Sequence, residues 1–195
     1  MPRPADPELE ERILRAAEVL WRRGGDRTLS MRSVARVAAT NTPAVYRRFK
    51  NRQELMRALL LRIAQRTRQH FDEGRTLQQM AEVYLDTATR MPHEYRLFYS
   101  YAAALSPKKG QGEPPPIRES RPNFAYLEQR LAQALGGVAE DHTQLALAIW
   151  ATLHGTAMLL LSRSIPEGHE EALRQACLSV VKKMVESAKP ERERH

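Results

Sequence analysis

Residues 33–49 read SVARVAATNTPAVYRRF, and this stretch decides the fold. Val34, Ala38, Val45 and Phe49 recur at the spacing that turns one face of two short helices inward, and Ala35 is small where those helices must cross closely. The connection Ala39-Thr40-Asn41 is about three residues long. Two short helices joined this tightly cross steeply, which is the helix-turn-helix arrangement. The second helix of such a pair enters a major groove with its N-terminal side chains leading. Here those are Thr42, Pro43, Ala44, Tyr46 and Arg47. Arg47 suits bidentate reading of a guanine, and the methyl of Ala44 or Thr42 suits a thymine methyl. Tyr46, Arg48, Lys50 and Arg52 suit phosphates, which fix register without reading sequence.

The charge distribution agrees. The chain of 195 residues carries a net +8, yet residues 1–70 alone carry +9. Between Asp26 and Glu54 there is no acid, but there are seven bases: Arg27, Arg32, Arg36, Arg47, Arg48, Lys50 and Arg52. A one-signed field on a small region points to a polyanionic partner, although a solvated basic face would have the same composition.

Helices extend on both sides of this stretch. Asp6 and Pro7 read as the cap and first position of a helix whose apolar positions are Leu9, Ile13, Ala16, Ala17, Leu20 and Trp21, ended by Gly24-Gly25. The second helix runs from Leu29 to Ala39 with Ser30 as cap. The third begins with Thr42 as cap and Pro43 at its first position. A long helix follows from Arg52 to Asp72, with a break after Gly74. Later segments are expected over 76–90, 92–105, 123–135, 141–164 and 169–187. The proline-rich stretch 106–122 reads as a mobile loop and 190–195 as a frayed tail. No segment alternates long enough for a strand. The class is all-α, with a three-helix DNA-binding domain over 1–52 and a second helical domain over 53–195.

The segment from Leu29 to Leu61, ending VYRRFKNRQELMRALL, resembles the DNA-binding domain of the tetracycline-repressor (TetR) family. The shared features are the Val34-Ala35 pair, the aromatic Tyr46 and Phe49, and the run from Lys50 to Leu55 opening a long helix. Trp150, His154 and Gly155 resemble the Trp-x-x-x-His-Gly signature of one C-terminal variant of that family. The resemblance implies that Arg32 approaches a base edge or phosphate, that Thr42, Pro43, Ala44, Tyr46 and Arg47 face the groove, and that Arg52 holds a backbone phosphate. The chain departs from the family at Ala39, where glycine is usual. A positive φ there would cost roughly 1 kcal/mol.

The segment 141–164 holds no charged side chain between Asp141 and Arg163, and its apolar residues cover most of its circumference. Such a helix must be buried all round or lie in a membrane. Thr152, His154, Gly155 and Thr156 argue against the membrane. In a small helical domain the remaining side needs a partner, and a second copy is the simplest one. Ala148, Ala151, Thr152 and Gly155 are small enough for close approach, so a homodimer through this segment and 169–187 is expected. Met80, Tyr84, Phe98, Tyr101, Trp150, His154 and Met158 are the candidate effector-pocket residues, a role that rests mostly on the resemblance.

Catalytic and metal-binding patterns are not apparent. None of the six histidines forms an H-E-x-x-H or an i,i+4 pair, and no P-loop, G-x-S-x-G or G-x-G-x-x-G occurs. Cys177 is the single cysteine, which excludes an intramolecular disulfide, and no secretory signal is visible. The reading is a cytoplasmic, non-enzymatic transcriptional regulator without cofactor or metal. Its partners are double-stranded operator DNA, an unidentified small molecule and a second copy of itself, with no membrane. It is normally a repressor, released from a palindromic operator by an apolar compound. The alternative is an architectural DNA-binding protein whose second half only dimerises.

Overall fold

The computed structural model describes residues 8–72, 76–101 and 116–189. Asp6, Pro7, Gly74, the 190–195 tail and most of the proline-rich stretch lie outside these residues. The described residues form α-helices and short 3-10 turns, without a strand. The helices are α1 (Leu9–Gly24), α2 (Met31–Val37), α3 (Thr42–Arg48), α4 (Arg52–Asp72), α5 (Leu77–Arg90), α6 (Pro92–Tyr101), α7 (Ile117–Ser120), α8 (Pro122–Leu135), α9 (Thr143–Ser162) and α10 (Glu170–Ser187). They divide between two compact units, Met1–Ile63 with Arg96–Leu105, and Ala64–Tyr95 with Ser106–His195.

The first unit folds around Trp21 and Ile13, both fully buried, with Val34, Val45, Leu55, Leu59 and Leu60. Because Leu55 to Leu60 belong to this core, the unit extends past residue 52, where the sequence reading ended it. Phe98 and Tyr101 of α6 pack against the same core. α1 stops where Gly25 takes φ 58°, a region that favours glycine. The Thr28 hydroxyl then donates to the Leu20 carbonyl at 2.6 Å, satisfying an end-of-helix acceptor. Arg62 of α4 fixes α1, reaching both Glu11 carboxylate oxygens at 2.5 and 2.8 Å and Glu18 at 3.5 Å.

The helix-turn-helix is built from local caps. Ser30 accepts from the Ser33 amide at 3.0 Å while the Ser33 hydroxyl accepts from the Ser30 amide at 2.9 Å, a reciprocal box that opens α2. α2 closes with Ala39 at φ 51°. The Thr40 amide donates to the Ala35 carbonyl at 2.9 Å and the Ala39 amide to the Arg36 carbonyl at 3.3 Å. That pair of bonds is the Schellman closure, which ordinarily places glycine at the left-handed position. Asn41, not Thr42, caps α3. Its side-chain carbonyl accepts from the Ala44 amide at 2.8 Å, and Thr42 and Pro43 already lie in the helix. Proline fits there because a first-turn amide has no intrahelical acceptor.

In the second unit α9 packs against α5, α8 and α10, and α10 also packs against α5. Arg174 of α10 binds Asp86 of α5 at 2.6 Å. The described end of the proline-rich stretch forms an unexpected element, the single turn α7. Its Arg118 binds Glu128 of α8 at 3.2 Å and donates to the Thr143 hydroxyl of α9 at 3.1 Å. Those contacts supply the order that composition alone did not suggest. The charge-free segment starts two residues later than expected, because Ala139–His142 forms a 3-10 turn in which Asp141 accepts from the Val138 amide at 3.0 Å. By length and composition residues 139–162 could cross a membrane.

Candidate functional site

Five of the six consecutive positions 42–47 were expected to face outward. A helix turns about 100° per residue, so they cannot share one face. The structure separates them. Pro43, Tyr46 and Arg47 are exposed, as are Arg48 and Lys50, and Thr42 is half-buried. Ala44 is 4% exposed beside the fully buried Val45. It lies on the flank of the inward arc and cannot offer its methyl to a base in this conformation. Tyr46, 50% exposed, stands one turn before Lys50. At the start of α4, Asn51 accepts from the Glu54 amide at 2.9 Å, and Glu54 accepts from the Lys50 amide at 2.7 Å. Glu54 therefore neutralises no basic side chain through these bonds; it fixes the backbone that carries Lys50. Arg27, Arg32 and Arg36 are also exposed, giving the unit a basic surface around α2 and α3.

Arg52 departs from its expected role. Its Nε donates to the Leu29 carbonyl at 2.8 Å and a terminal nitrogen donates to the Asp26 carbonyl at 3.1 Å, beside an ion pair with the Asp26 carboxylate. The side chain is thus engaged in holding the turn that leads into α2, not extended toward a phosphate.

The candidate effector residues also separate. Tyr84, Trp150 and His154 come together in the second unit. The hydroxyls of Tyr84 and Tyr95 are 2.7 Å apart, and the Tyr95 hydroxyl is 2.6 Å from His154 Nδ1. The Tyr95 and His154 rings stack at 5.7 Å, and Trp150 lies 6.4 Å from His154 and 5.9 Å from Phe124. Burial pushes the His154 pKa below its usual 6.5, favouring a neutral imidazole. Met80 is buried with Tyr126, against which Tyr84 also packs. Three candidates are placed elsewhere or outward. Phe98 and Tyr101 belong to the core of the first unit, because α6 contributes Tyr95 to one unit and its later residues to the other. Met158 is 39% exposed on the outer face of α9.

Phe124, Tyr126 and Glu128 were not among the residues the sequence pointed to. Phe124, Glu128 and Leu131 share the inward face of α8, and all three are buried. A carboxylate at the apolar period of a helix was the available signal.

Residues 13–59 match the family model of bacterial regulatory proteins of the tetR family. Residues 77–181 match that of the tetracyclin repressor-like C-terminal domain. The chain belongs to the TetR family. This TetR-family regulator is a helix-turn-helix, DNA-binding transcription regulator by fold. It is similar to the multidrug binding protein EbrR complexed with imidazole, at 24% identity and a TM-score of 0.64, covering 94% of this chain and 93% of that one. It is also similar to a TetR-family member from Streptomyces coelicolor A3, at 22% identity and a TM-score of 0.61, covering 91% and 98%. EbrR complexed with proflavin matches at 19% identity and a TM-score of 0.57, covering 91% and 99%. At these identities the likeness shows the fold. No curated protein matches the chain.

Proposed function

We propose that this TetR-family chain is a homodimeric, cytoplasmic repressor released from a palindromic operator by a small molecule bound in its second unit. The observation that carries the reading is the aromatic cluster in which hydrogen bonds of 2.7 and 2.6 Å link Tyr84, Tyr95 and His154, with the Trp150 ring 6.4 Å from that of His154. A tightly bonded polar chain among large rings offers an apolar wall with a few directional groups, which is the composition of a ligand site. The structural neighbour EbrR, a multidrug binding protein seen with imidazole and proflavin, supports a ligand of this kind.

The dimer reading has its own support. Ala148, Ala151, Gly155, Met158 and Leu159 form an exposed face on α9, and Ala172, Ala176, Ser179 and Val180 one on α10. A Cβ placed on Gly155 would meet nothing within 4 Å. Among the described residues nothing requires glycine in the middle of α9, where it costs about 1 kcal/mol relative to alanine. Close approach of a second copy supplies the reason, and the same contact covers the apolar face that makes residues 139–162 resemble a membrane span. Exposed Arg47 reads a base edge, while Arg48 and Lys50 hold phosphates. Ligand binding reaches the recognition helices through α4.

Sedimentation of wild type and Gly155→Leu, with and without operator DNA selected from genomic fragments, tests the reading. A wild-type dimer whose DNA is released by a bound aromatic compound, and a Gly155→Leu monomer with weakened operator binding, are expected. A wild-type monomer at micromolar concentration would overturn it, and operator binding indifferent to every aromatic ligand would favour an architectural protein.

A further inference from the structure

Glu128 is a carboxylate 1% exposed in the second unit. Its Oε1 accepts from the Thr143 hydroxyl at 2.7 Å and from Arg118 at 3.2 Å, and its Oε2 is buried without a hydrogen-bond partner. A buried carboxylate oxygen left unbonded is costly and calls for an explanation. Among the described residues the cation paired with Glu128 is Arg118, and Arg118 also pairs with Glu140, which is 65% exposed. One guanidinium is shared by two carboxylates, so the cluster is short of one positive charge. Arg118 stands on a helix of four residues with no side-chain cap. It retains Glu140 as a partner if it leaves Glu128.

The surroundings of Glu128 specify what could replace it. Glu128 and Phe124 are one turn apart on α8, and Thr143 and Trp150 are two turns apart on α9. Contacts join Glu128 to Thr143 and the Phe124 ring to the Trp150 ring at 5.9 Å. The carboxylate therefore sits at one end of a seam whose next members are aromatic, about 10 Å away along α9 at 1.5 Å per residue. An anion at one end of an aromatic wall is the chemistry that recognises a flat organic cation, through charge-assisted hydrogen bonds and ring contact.

We propose that Glu128 is the charge-selecting group of the effector site, that the ligand class is planar aromatic cations with an N–H donor, and that Arg118 is the resident cation such a ligand displaces. This rests on the effector-binding reading above. The incoming N–H donates to Glu128, Arg118 moves wholly to Glu140, and the local charge deficit is filled.

Fluorescence titration of the DNA-free dimer with proflavin, a planar cation, and acridone, a neutral molecule of the same ring shape, tests the assignment. Glu128→Gln keeps the shape and the Thr143 bond. It should weaken proflavin at least tenfold, about the worth of one charge-assisted hydrogen bond, and leave acridone unchanged. Arg118→Met should tighten proflavin, because the competing cation is gone. Circular dichroism identifies a variant that fails to fold, in which case Glu128→Gln alone decides. Equal proflavin affinity for wild type and Glu128→Gln, or no proflavin binding, would overturn the proposal. Operator release is read separately, comparing wild type and Glu128→Gln at one proflavin concentration so that intercalation cancels. Release by neutral compounds without dependence on Glu128 would keep the repressor and remove the charge selection. Glu128-dependent binding without release would keep the site and remove the repressor.

Discussion

Arg52→Ala separates two roles that an arginine at the start of α4 can have. A phosphate contact stabilises only the DNA complex. A positioning contact stabilises the free protein, and the hydrogen bonds of Arg52 to the Leu29 and Asp26 carbonyls at 2.8 and 3.1 Å argue for the second. The ion pair with Asp26 adds little, since the two side chains are 39% and 44% exposed and such pairs contribute about 0.2–1 kcal/mol. The bond to the carbonyl of buried Leu29 matters more, at about 1.5–3 kcal/mol for a charged donor. Arg52→Ala should therefore lower stability by about 2 kcal/mol, read as a lower urea midpoint at unchanged slope. Its operator affinity should fall, because the turn before α2 is loosened. The dependence of log affinity on log salt should not change, whereas loss of a phosphate contact would flatten it by about 0.9 for each half-site. Arg52→Lys sharpens the comparison. It keeps the charge but not the planar fork, so it should rescue a phosphate contact and fail to rescue the turn. Wild-type stability in Arg52→Ala together with a flattened salt slope would refute the positioning role.

Further outcomes follow from other residues. Ala39→Gly relieves the left-handed strain at φ 51°. Relief of about 1–2 kcal/mol, offset by the greater freedom of glycine in the unfolded chain, should leave a stabilisation of about 0.5–1 kcal/mol in urea unfolding. Tyr95→Phe removes the hydroxyl that bonds both the Tyr84 hydroxyl and His154 Nδ1 and should cost about 0.5–1.5 kcal/mol for each bond lost. The depressed pKa of His154 contributes stability that is present above the unfolded value of 6.5 and lost as pH falls through the folded one. The thermal midpoint should therefore drop below pH 6.5, less steeply in His154→Gln. Hydrogen bonds from Arg62 hold the Glu11 carboxyl below 4.5, so the stability of the first unit should fall as pH drops below that value. Arg62→Ala should cost about 1 kcal/mol at neutral pH, since Glu11 is 46% exposed and screened by solvent, and should remove that acid dependence.

The helix-turn-helix was legible because its signals are local. Apolar period, Ser30, Thr42-Pro43 and the short connection act within one or two turns, and they place α2 and α3 to within two residues at each end. The intramolecular contacts of Arg52 were not legible because its main partner is a backbone carbonyl 23 residues away, and carbonyls carry no sequence signature. Ala44 was misread because periodicity was not applied strictly to a helix of seven residues. The effector cluster was half legible. Aromatics were visible, but Tyr95 and Phe98 lie within one turn of α6 and join different units, a choice made by the packing of each ring. α7 was invisible because one arginine bonded to Glu128 and Thr143 orders it.

The apolar circumference of α9 and the buried charge of Glu128 bear on the same helix from opposite sides. The inward face of α9 carries Thr143, Trp150 and His154, each in contact with the polar or aromatic groups of α6 and α8. Its outward face carries Ala148, Ala151 and Gly155, which the described residues leave exposed. In the dimer reading, one helix lines the ligand seam with its first face and meets the second copy with its other. Rearrangement at the seam then acts directly on the interface, because packed helices respond to a new side-chain neighbour by shifting as units. A ligand that displaces Arg118 from Glu128 alters a bond to Thr143 at the start of α9. Its effect on operator affinity should therefore persist when the aromatic residues are left intact and weaken in Thr143→Val, which keeps the shape and removes the hydroxyl. An unchanged ligand response in Thr143→Val would show that the signal leaves the site by another helix.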